Sequence, residues 1–329
     1  MKTILVTGGC GFIASNYIKK YVNDNNTLII NLDKLTYAAN KQFLSDIENR
    51  QNYLFYKGDI CDKYLVDKIF TNHNIDYVIN FAAESHVDRS FSLSEDFFKT
   101  NVLGTLNLLE TAKRHWKDFS KHKFIQISTD EVYGESEIEC DESSKLNPTS
   151  PYSSSKASAD LLCLSYYKSF NFPVVITRSS NNYGLNQHPE KLIPKLMVSL
   201  IANEKFFIHG SGNQLRDWLN VEDNITAINL VPKKGSVGEI YNISAKNEMS
   251  VNEVVNKVTK LASAFLDKDC SLLIENKGDR LYNDSRYNIS NKKILALGFK
   301  LNADFDDSLK EMLCYYYDNF DYYYKKLKE

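Results

Sequence analysis

Thr3-Ile4-Leu5-Val6-Thr7-Gly8-Gly9-Cys10-Gly11-Phe12-Ile13-Ala14 is a short apolar run that ends in glycines and passes at once into a helical pattern. The spacing of Gly8, Gly11 and Ala14 reads as a strand, a tight turn and a helix start. Glycine permits the turn and lets the backbone approach a pyrophosphate, which then meets free N–H groups at the helix N-terminus. Ala14 stands where a third glycine is usual, a position that governs helix–strand packing rather than phosphate contact. A glycine motif alone is weak evidence, so the surrounding sequence decides the reading.

Outward from this loop, apolar runs alternate with helical patterns as far as Ile176. Strands are predicted at Thr3 to Thr7, Leu28 to Leu32, Leu54 to Tyr56, Tyr77 to Phe81, Lys123 to Ser128 and Val174 to Thr177. Helices are predicted to begin near Phe12, Lys41, Lys63, Ser94 and Tyr152. Such alternation implies an α/β fold, a doubly wound parallel sheet of the Rossmann type covered on both faces. After about Asn182 the pieces shorten: helices at 191–201, 223–230 and 252–266, strands at 206–209 and 239–243, an irregular stretch over 278–287 and a C-terminal amphipathic helix. The expected organisation is a nucleotide-binding domain over 1–182 and a smaller α/β substrate lobe over 183–329 that crosses back to the first.

With 329 residues, 43% hydrophobic and 12% aromatic, the chain is long enough for a large buried core and about two domains. A formal net charge of −2 gives no basic field, which argues against a nucleic-acid or anionic-membrane partner. Six cysteines (Cys10, Cys61, Cys140, Cys163, Cys270, Cys314) show no CxxC spacing. They read as free thiols in a reducing compartment rather than a disulfide framework or a metal site. No export signal and no long apolar run is seen, so a soluble, cytoplasmic protein is expected.

Asp33 closes the second strand, where a carboxylate can accept both ribose hydroxyls of an adenosine and repels a 2′-phosphate. This favours NAD over NADP, although Lys34 softens the discrimination and Asp33 could instead cap the following helix. Asp59 and Ile60 follow the third strand, near the expected adenine. Ala82 and Ala83 follow the fourth, small residues where a cofactor crosses the sheet edge.

Two proton-transfer systems lie downstream. Tyr152 and Lys156 are four apart at a helix start and share a face. A phenol titrates near about 10 unperturbed, and an adjacent ammonium together with a positive nicotinamide is expected to lower it, giving a base. Thr129 ends the fifth strand, the edge at which open parallel sheets place ligands. Asp130 and Glu131 come next, adjacent carboxylates that resist ionising together in an enclosed site, so one can serve as acid and the other as base. Each pair alone also fits a solvated surface; the combination with the loop and Asp33 favours chemistry.

These residues, in this order, resemble the extended short-chain dehydrogenase/reductase superfamily, and Ser128-Thr129-Asp130-Glu131-Val132-Tyr133-Gly134 is similar to its nucleoside-diphosphate-glucose 4,6-dehydratase branch. The similarity extends through Asp33 to Tyr37, Lys57 to Ile60, Ala82 to Asp88, Thr100-Asn101, Ser180 to Gly184, Pro189 to Pro194 and Arg216-Asp217-Trp218. It implies oxidation at the glucose C4 with Tyr152 as base, loss of water across C5 and C6 through Glu131 and Asp130, and reduction at C6 by the same retained NAD. In related 4-epimerases the strand-five Ser/Thr is not followed by an Asp-Glu pair, which makes Asp130-Glu131 the discriminating feature.

The resemblance places Gly8, Gly11, Phe12, Ile13, Asp33, Lys34, Leu35 and Thr36 around the cofactor. Asp59, Ile60, Ala82, Ala83, Glu84, Thr100, Tyr152, Lys156 and Asn182 complete that set. It places His86, Thr129, Asn181, Lys191, Leu192 and Phe207 around the sugar nucleotide, with Ile208, His209, Arg216, Asp279, Arg280 and Asn283. A surface ion pair of Arg216 with Asp217 or Glu222, and a core role for His86, are the plain alternatives. Asp279-Arg280-Leu281-Tyr282-Asn283-Asp284 departs from the Asp-Arg-Pro-Gly-His of many thymidine-nucleotide members, and Val251 stands where they tend to carry Asn. That loop leans toward UDP-glucose over dTDP-glucose, two bases that differ by one methyl. The resemblance further implies a homodimer joined by the helices near Ser94 to His115 and Tyr152 to Phe170. A 4-epimerase, a decarboxylase and a catalytically silent NAD-binding scaffold remain open as alternatives.

Overall fold

A computed structural model describes residues 1–278 and 283–329. The expected strands form: β1 (Lys2–Thr7), β2 (Thr27–Asp33), β3 (Tyr53–Lys57), β4 (Tyr77–Asn80), β5 (Lys123–Thr129) and β6 (Val174–Ser179). Six more follow, β7 (Asn181–Tyr183), β8 (Phe206–His209), β9 (Leu215–Asn220), β10 (Ile240–Ile243), β11 (Glu248–Ser250) and β12 (Ile274–Lys277). The main sheet runs β10-β6-β5-β4-β1-β2-β3 with every pairing parallel. Its order reverses between β1 and β4, so the strand ends around Thr7 and Asn80 open a crevice there, where doubly wound sheets bind ligands.

The strands form because their runs are apolar and β-branched, and both faces are covered. Val6, Ile29, Ile79 and Ile125 pack on one side with the helix Phe12–Tyr21 and the helix Val221–Lys234. Leu5, Ile30, Val78 and Phe124 pack on the other with Lys63–Asn72, Thr105–His115 and Pro151–Phe170. Each such side chain taken from water contributes about 1.5–3 kcal/mol. A separate core around Leu196, Val254, Val258 and Tyr316 holds the two smaller sheets, β11-β9-β7 and β12-β8, and the helices of the second half.

β9 and β11 pair antiparallel, setting Arg216 opposite Met249, while β7 joins β9 in parallel with Asn181 opposite Trp218. The predicted single C-terminal helix is two, Phe305–Asp318 and Phe320–Lys328, divided at Asn319. The helix expected from Lys41 is a 3₁₀ turn, Lys41–Ile47, capped by Asn40. Beyond Phe98 the backbone takes a π turn over Lys99–Gly104, an irregularity often found beside functional sites. No helix among the described residues is long and apolar enough to cross a membrane.

Candidate functional site

One cleft of about 860 Å³ runs along the C-terminal ends of the main sheet and into the second half. At one end the backbone turns at Gly8 with φ +67°, and a Cβ there would lie 2.8 Å from the Ala82 Cα. Only glycine permits both the turn and that approach. Gly11 begins the helix Phe12–Tyr21 with no side-chain cap, leaving N–H groups directed at the cleft for an anion. Asp33, buried at the end of β2, accepts the Cys10 N–H at 2.8 Å and the Leu35 N–H at 2.7 Å. It does not cap the next helix, a task that Asn40 performs. Lys34 is paired with Asp59 at 2.8 Å rather than standing against Asp33.

Phe12, Ile13, Thr36, Ile60, Ala82, Ala83, Glu84, Thr100 and Asn182 line the same cleft. Leu35 does not: it has φ +61° and its side chain packs into the core, so its part is the backbone N–H given to Asp33. The π turn shows its use at Asn101, whose side chain accepts the Glu84 N–H at 2.9 Å and donates to the Glu84 carbonyl at 3.0 Å and to Ser155 at 2.8 Å. It thereby ties the loop after β4 to the helix Pro151–Phe170. This end of the cleft offers what a dinucleotide needs: close backbone, a helix start and a fixed carboxylate.

Tyr152 and Lys156 stand in the first turns of that helix. A reciprocal cap starts it, with Ser150 accepting the Ser153 N–H at 3.1 Å and Ser153 accepting the Ser150 N–H at 3.0 Å. Pro151 occupies its first position, where a missing N–H costs nothing. Lys156 donates to the Ile127 carbonyl at 2.5 Å, and burial lowers its pKa to about 8. The expected lowering of the Tyr152 phenol is not found in the protein alone. Burial and then the Glu131 charge push it up, with the Thr129 hydroxyl opposing.

Thr129 donates to Asp130 at 3.2 Å and accepts the Glu131 N–H at 3.3 Å. Asp130 is buried, its second oxygen has no partner among the described residues, and burial followed by the charges of Glu131 and Asp217 holds its carboxyl well above the usual range. Glu131 is pushed up to about 7 by burial on the cleft floor, against Arg216 and Lys191. Glu131 is half-buried, with part of its surface open to the cleft. The pair therefore has the form of a proton donor beside a group that can exchange one near neutral pH.

Arg216 makes neither ion pair considered above. It donates to the Leu215 and Asp284 carbonyls, both at 2.8 Å, and lies over the Tyr287 ring at 4.8 Å. Asp217 accepts the Ala245 and Asn247 N–H groups, and Glu222 pairs with Lys20. His86 lines the cleft with its Nε2 3.8 Å from Glu190. Lys191 donates to the Ser85 carbonyl at 3.2 Å. Asn181, Leu192, Phe207, Ile208, His209 and Asn283 also line it; Asp279 and Arg280 lie outside the described residues.

Glu190 was missed by the sequence reading. It faces His86, His188 and Lys191 and receives the Tyr37 hydroxyl at 3.4 Å. A carboxylate where a diphosphate is expected argues against itself on charge; here it lies beside the Lys191 ammonium and two imidazoles, and burial lowers the pKa of one of these, His188. Arg89, stacked 3.8 Å over Tyr37, and Tyr287, bonded to Asp284, were missed too.

The family model described as GDP-mannose 4,6 dehydratase matches residues 5–312. The dTDP-D-glucose 4,6-dehydratase of Homo sapiens is 45% identical over 97% of this chain and 91% of its own. The crystal structure of DesIV, a dTDP-glucose 4,6-dehydratase from Streptomyces venezuelae with NAD and TYD bound, superposes with TM-score 0.91 at 35% identity, covering 98% of this chain and 99% of that one. The NAD complex of the dTDP-glucose 4,6-dehydratase from Bacillus anthracis gives TM-score 0.89 at 38% identity over 99% and 100% of the two chains.

Proposed function

Since the chain belongs to the GDP-mannose 4,6 dehydratase family, we propose that it is an NAD-dependent hydro-lyase, a nucleoside-diphosphate-glucose 4,6-dehydratase. The observation that carries this reading is Asp130 and Glu131 set directly after Thr129 in the cleft that also holds Tyr152 and Lys156. An epimerase needs no second acid–base pair; elimination of water does. The lobe of residues 1–182 holds the cofactor through the Gly8 turn, the helix start at Gly11 and Asp33. The lobe of residues 183–329 closes over the nucleotide sugar.

Bound NAD supplies a hydride acceptor for the sugar C4, a positive ring beside Tyr152 and then a hydride donor for C6. Tyr152 takes the C4 hydroxyl proton while Thr129 donates to the same oxygen. Lys156 contributes the positive charge that the phenolate requires in a site whose burial otherwise disfavours it. The C4 ketone acidifies C5, whose proton Glu131 removes. Asp130, held protonated by burial and by its anionic neighbours, gives its proton to the C6 hydroxyl so that water departs. A proton returned to C5 as C6 is reduced completes a 4-keto-6-deoxy sugar without net redox change.

The curated relatives are named for dTDP-glucose, whereas the late loop leaned toward UDP-glucose. We take dTDP-glucose as the first substrate to test and UDP-glucose as its competitor. The product would feed deoxysugar nucleotides such as those of rhamnose. A cytoplasmic homodimer through the helices near 94–115 and 151–170 completes the proposal, supported by the exposure of Phe98, Leu103 and Leu161 along them.

Purified protein incubated separately with the two nucleotides tests the reading. Loss of one water from the sugar, with no net NADH and an alkali-induced 4-keto absorbance, is the expected result. An unchanged mass with an inverted C4 would show an epimerase, and loss of carbon dioxide a decarboxylase.

A further inference from the structure

One helical turn beyond Lys156, and outside the cleft, lies a carboxylate that the proposed chemistry does not use. Asp160 is 0% exposed. Its Oδ2 accepts Arg178 Nε at 2.9 Å and Ser128 Oγ at 3.0 Å, while its Oδ1 has no partner among the described residues. Arg178, carried on β6 opposite Ser128 of β5, donates onward to the Tyr133 hydroxyl at 2.8 Å, which donates to Asn242 at 2.9 Å. The carboxylate is thus anchored from two strands, with one oxygen left over.

Lys156 is buried too, and its ammonium donates to the neutral Ile127 carbonyl. A carbonyl orients the ammonium but does not balance its charge. Tyr152, Asp160 and Cys163 share its helix, Asp130, Glu131 and Tyr133 follow β5, and Arg178 stands on β6. Of these, Asp160 lies four residues on, on the same helix face.

We propose that Asp160 is a positioning residue for the reaction: it keeps Lys156 cationic and held against the Ile127 carbonyl, so that Tyr152 meets a fixed positive charge. This rests on the reading of Tyr152 as the base. Burial draws the Lys156 pKa down to about 8, and Asp160 is the largest influence opposing that fall. Arg178 and Ser128 hold Asp160 in place. Lys156 and Asp160 make no ion pair within 4.0 Å, so the carboxylate acts on the ammonium through space from one helical turn away, and the burial of both groups keeps solvent from screening it. The competing role, a purely structural clamp between β6 and the helix, predicts no change in the pH dependence of catalysis.

The test compares NAD-loaded wild type, Asp160→Asn, Asp160→Glu and the double variant Asp160→Asn/Arg178→Gln, which replaces the buried ion pair by an amide pair. In Asp160→Asn the alkaline limb of kcat/KM should move down by about one pH unit, about tenfold less activity beyond the limb. Asp160→Glu should restore it and the double variant should repeat the shift. A uniform loss with an unmoved limb in either charge-removing variant overturns the proposal. Carbon-13 NMR of labelled lysine Cε, with Lys156 assigned through Lys156→Arg, gives a reading independent of turnover. Wild-type Lys156 losing its proton below pH 7, or a value unchanged in Asp160→Asn, overturns the role as well. Wild type inert on both nucleotides refutes the function instead, and the NMR titration still decides on Asp160.

Discussion

The Asp33 carboxylate accepts the Cys10 amide of the glycine loop at 2.8 Å, so the residue expected to meet the ribose also holds the loop expected to meet the pyrophosphate. Its other oxygen accepts the Leu35 amide at 2.7 Å. Asp33→Asn turns an –NH₂ toward one of two buried N–H donors. Leaving that donor unpaired costs about 1–3 kcal/mol. The variant should melt several degrees lower and retain at least about tenfold less NAD after purification, as read by cofactor content. Full NAD content with an unchanged melting temperature would show that the loop stands without the carboxylate.

Asp130 and Glu131 separate elimination from oxidation. Removing either proton-transfer group should lower kcat by about 10²–10⁴-fold. Because C4 oxidation precedes the step they serve, Asp130→Asn and Glu131→Gln should still accumulate reduced nicotinamide absorbance in a single turnover. Tyr152→Phe should show none. Wild-type turnover in the doubly substituted protein would remove the basis of the proposed chemistry.

The raised Glu131 carboxyl, near about 7 through burial, has opposite consequences for stability and activity. Unfolded, the group titrates near about 4.3, so the folded state holds its proton longer. Stability is unaffected below the unfolded value and is lost as pH rises through about 7. Glu131→Gln should therefore match wild type in melting temperature near pH 4 and exceed it above pH 7. Activity needs the ionised base, so kcat/KM should climb through about 7 and fall as Lys156 loses its proton near about 8. A flat profile across that window would contradict both assignments.

The main sheet was legible because its strands are nearly continuous apolar runs, and LVTGGCGF carries its own backbone demand at Gly8. β9 was not, because Arg216 and Asp217 break the apolar pattern; the polar residues are there to face the cleft and the loop at Ala245. The pairing of helix-borne Tyr152 with strand-borne Thr129 could be read from order along the chain. Glu190, Arg89 and Tyr287 could not, since their roles arise from contacts between loops far apart in sequence. The Tyr152 pKa went the other way for a related reason: spacing reveals a neighbouring ammonium, but the extent of burial is known only from the fold.

Leu103 and Leu161 are 56% and 57% exposed, on the π turn and on the helix Pro151–Phe170 that packs against it, with Phe98 beside them at 40%. Single exposed apolar residues are ordinary, but these two leucines and Phe98 stand on adjoining elements, and the proposed dimer would cover them. A stable twofold contact buries about 800 Å² per partner, and a glutamate at its centre leaves a charge in an apolar seam. Leu161→Glu and Leu103→Glu should each shift the light-scattering mass from two chains toward one, while the same substitution at exposed Leu272, outside these helices, should not. The proposed contact includes the Tyr152 helix, so monomeric variants should also lose activity. A wild-type mass of one chain would place these leucines in plain solvent and separate dimerisation from the catalytic reading.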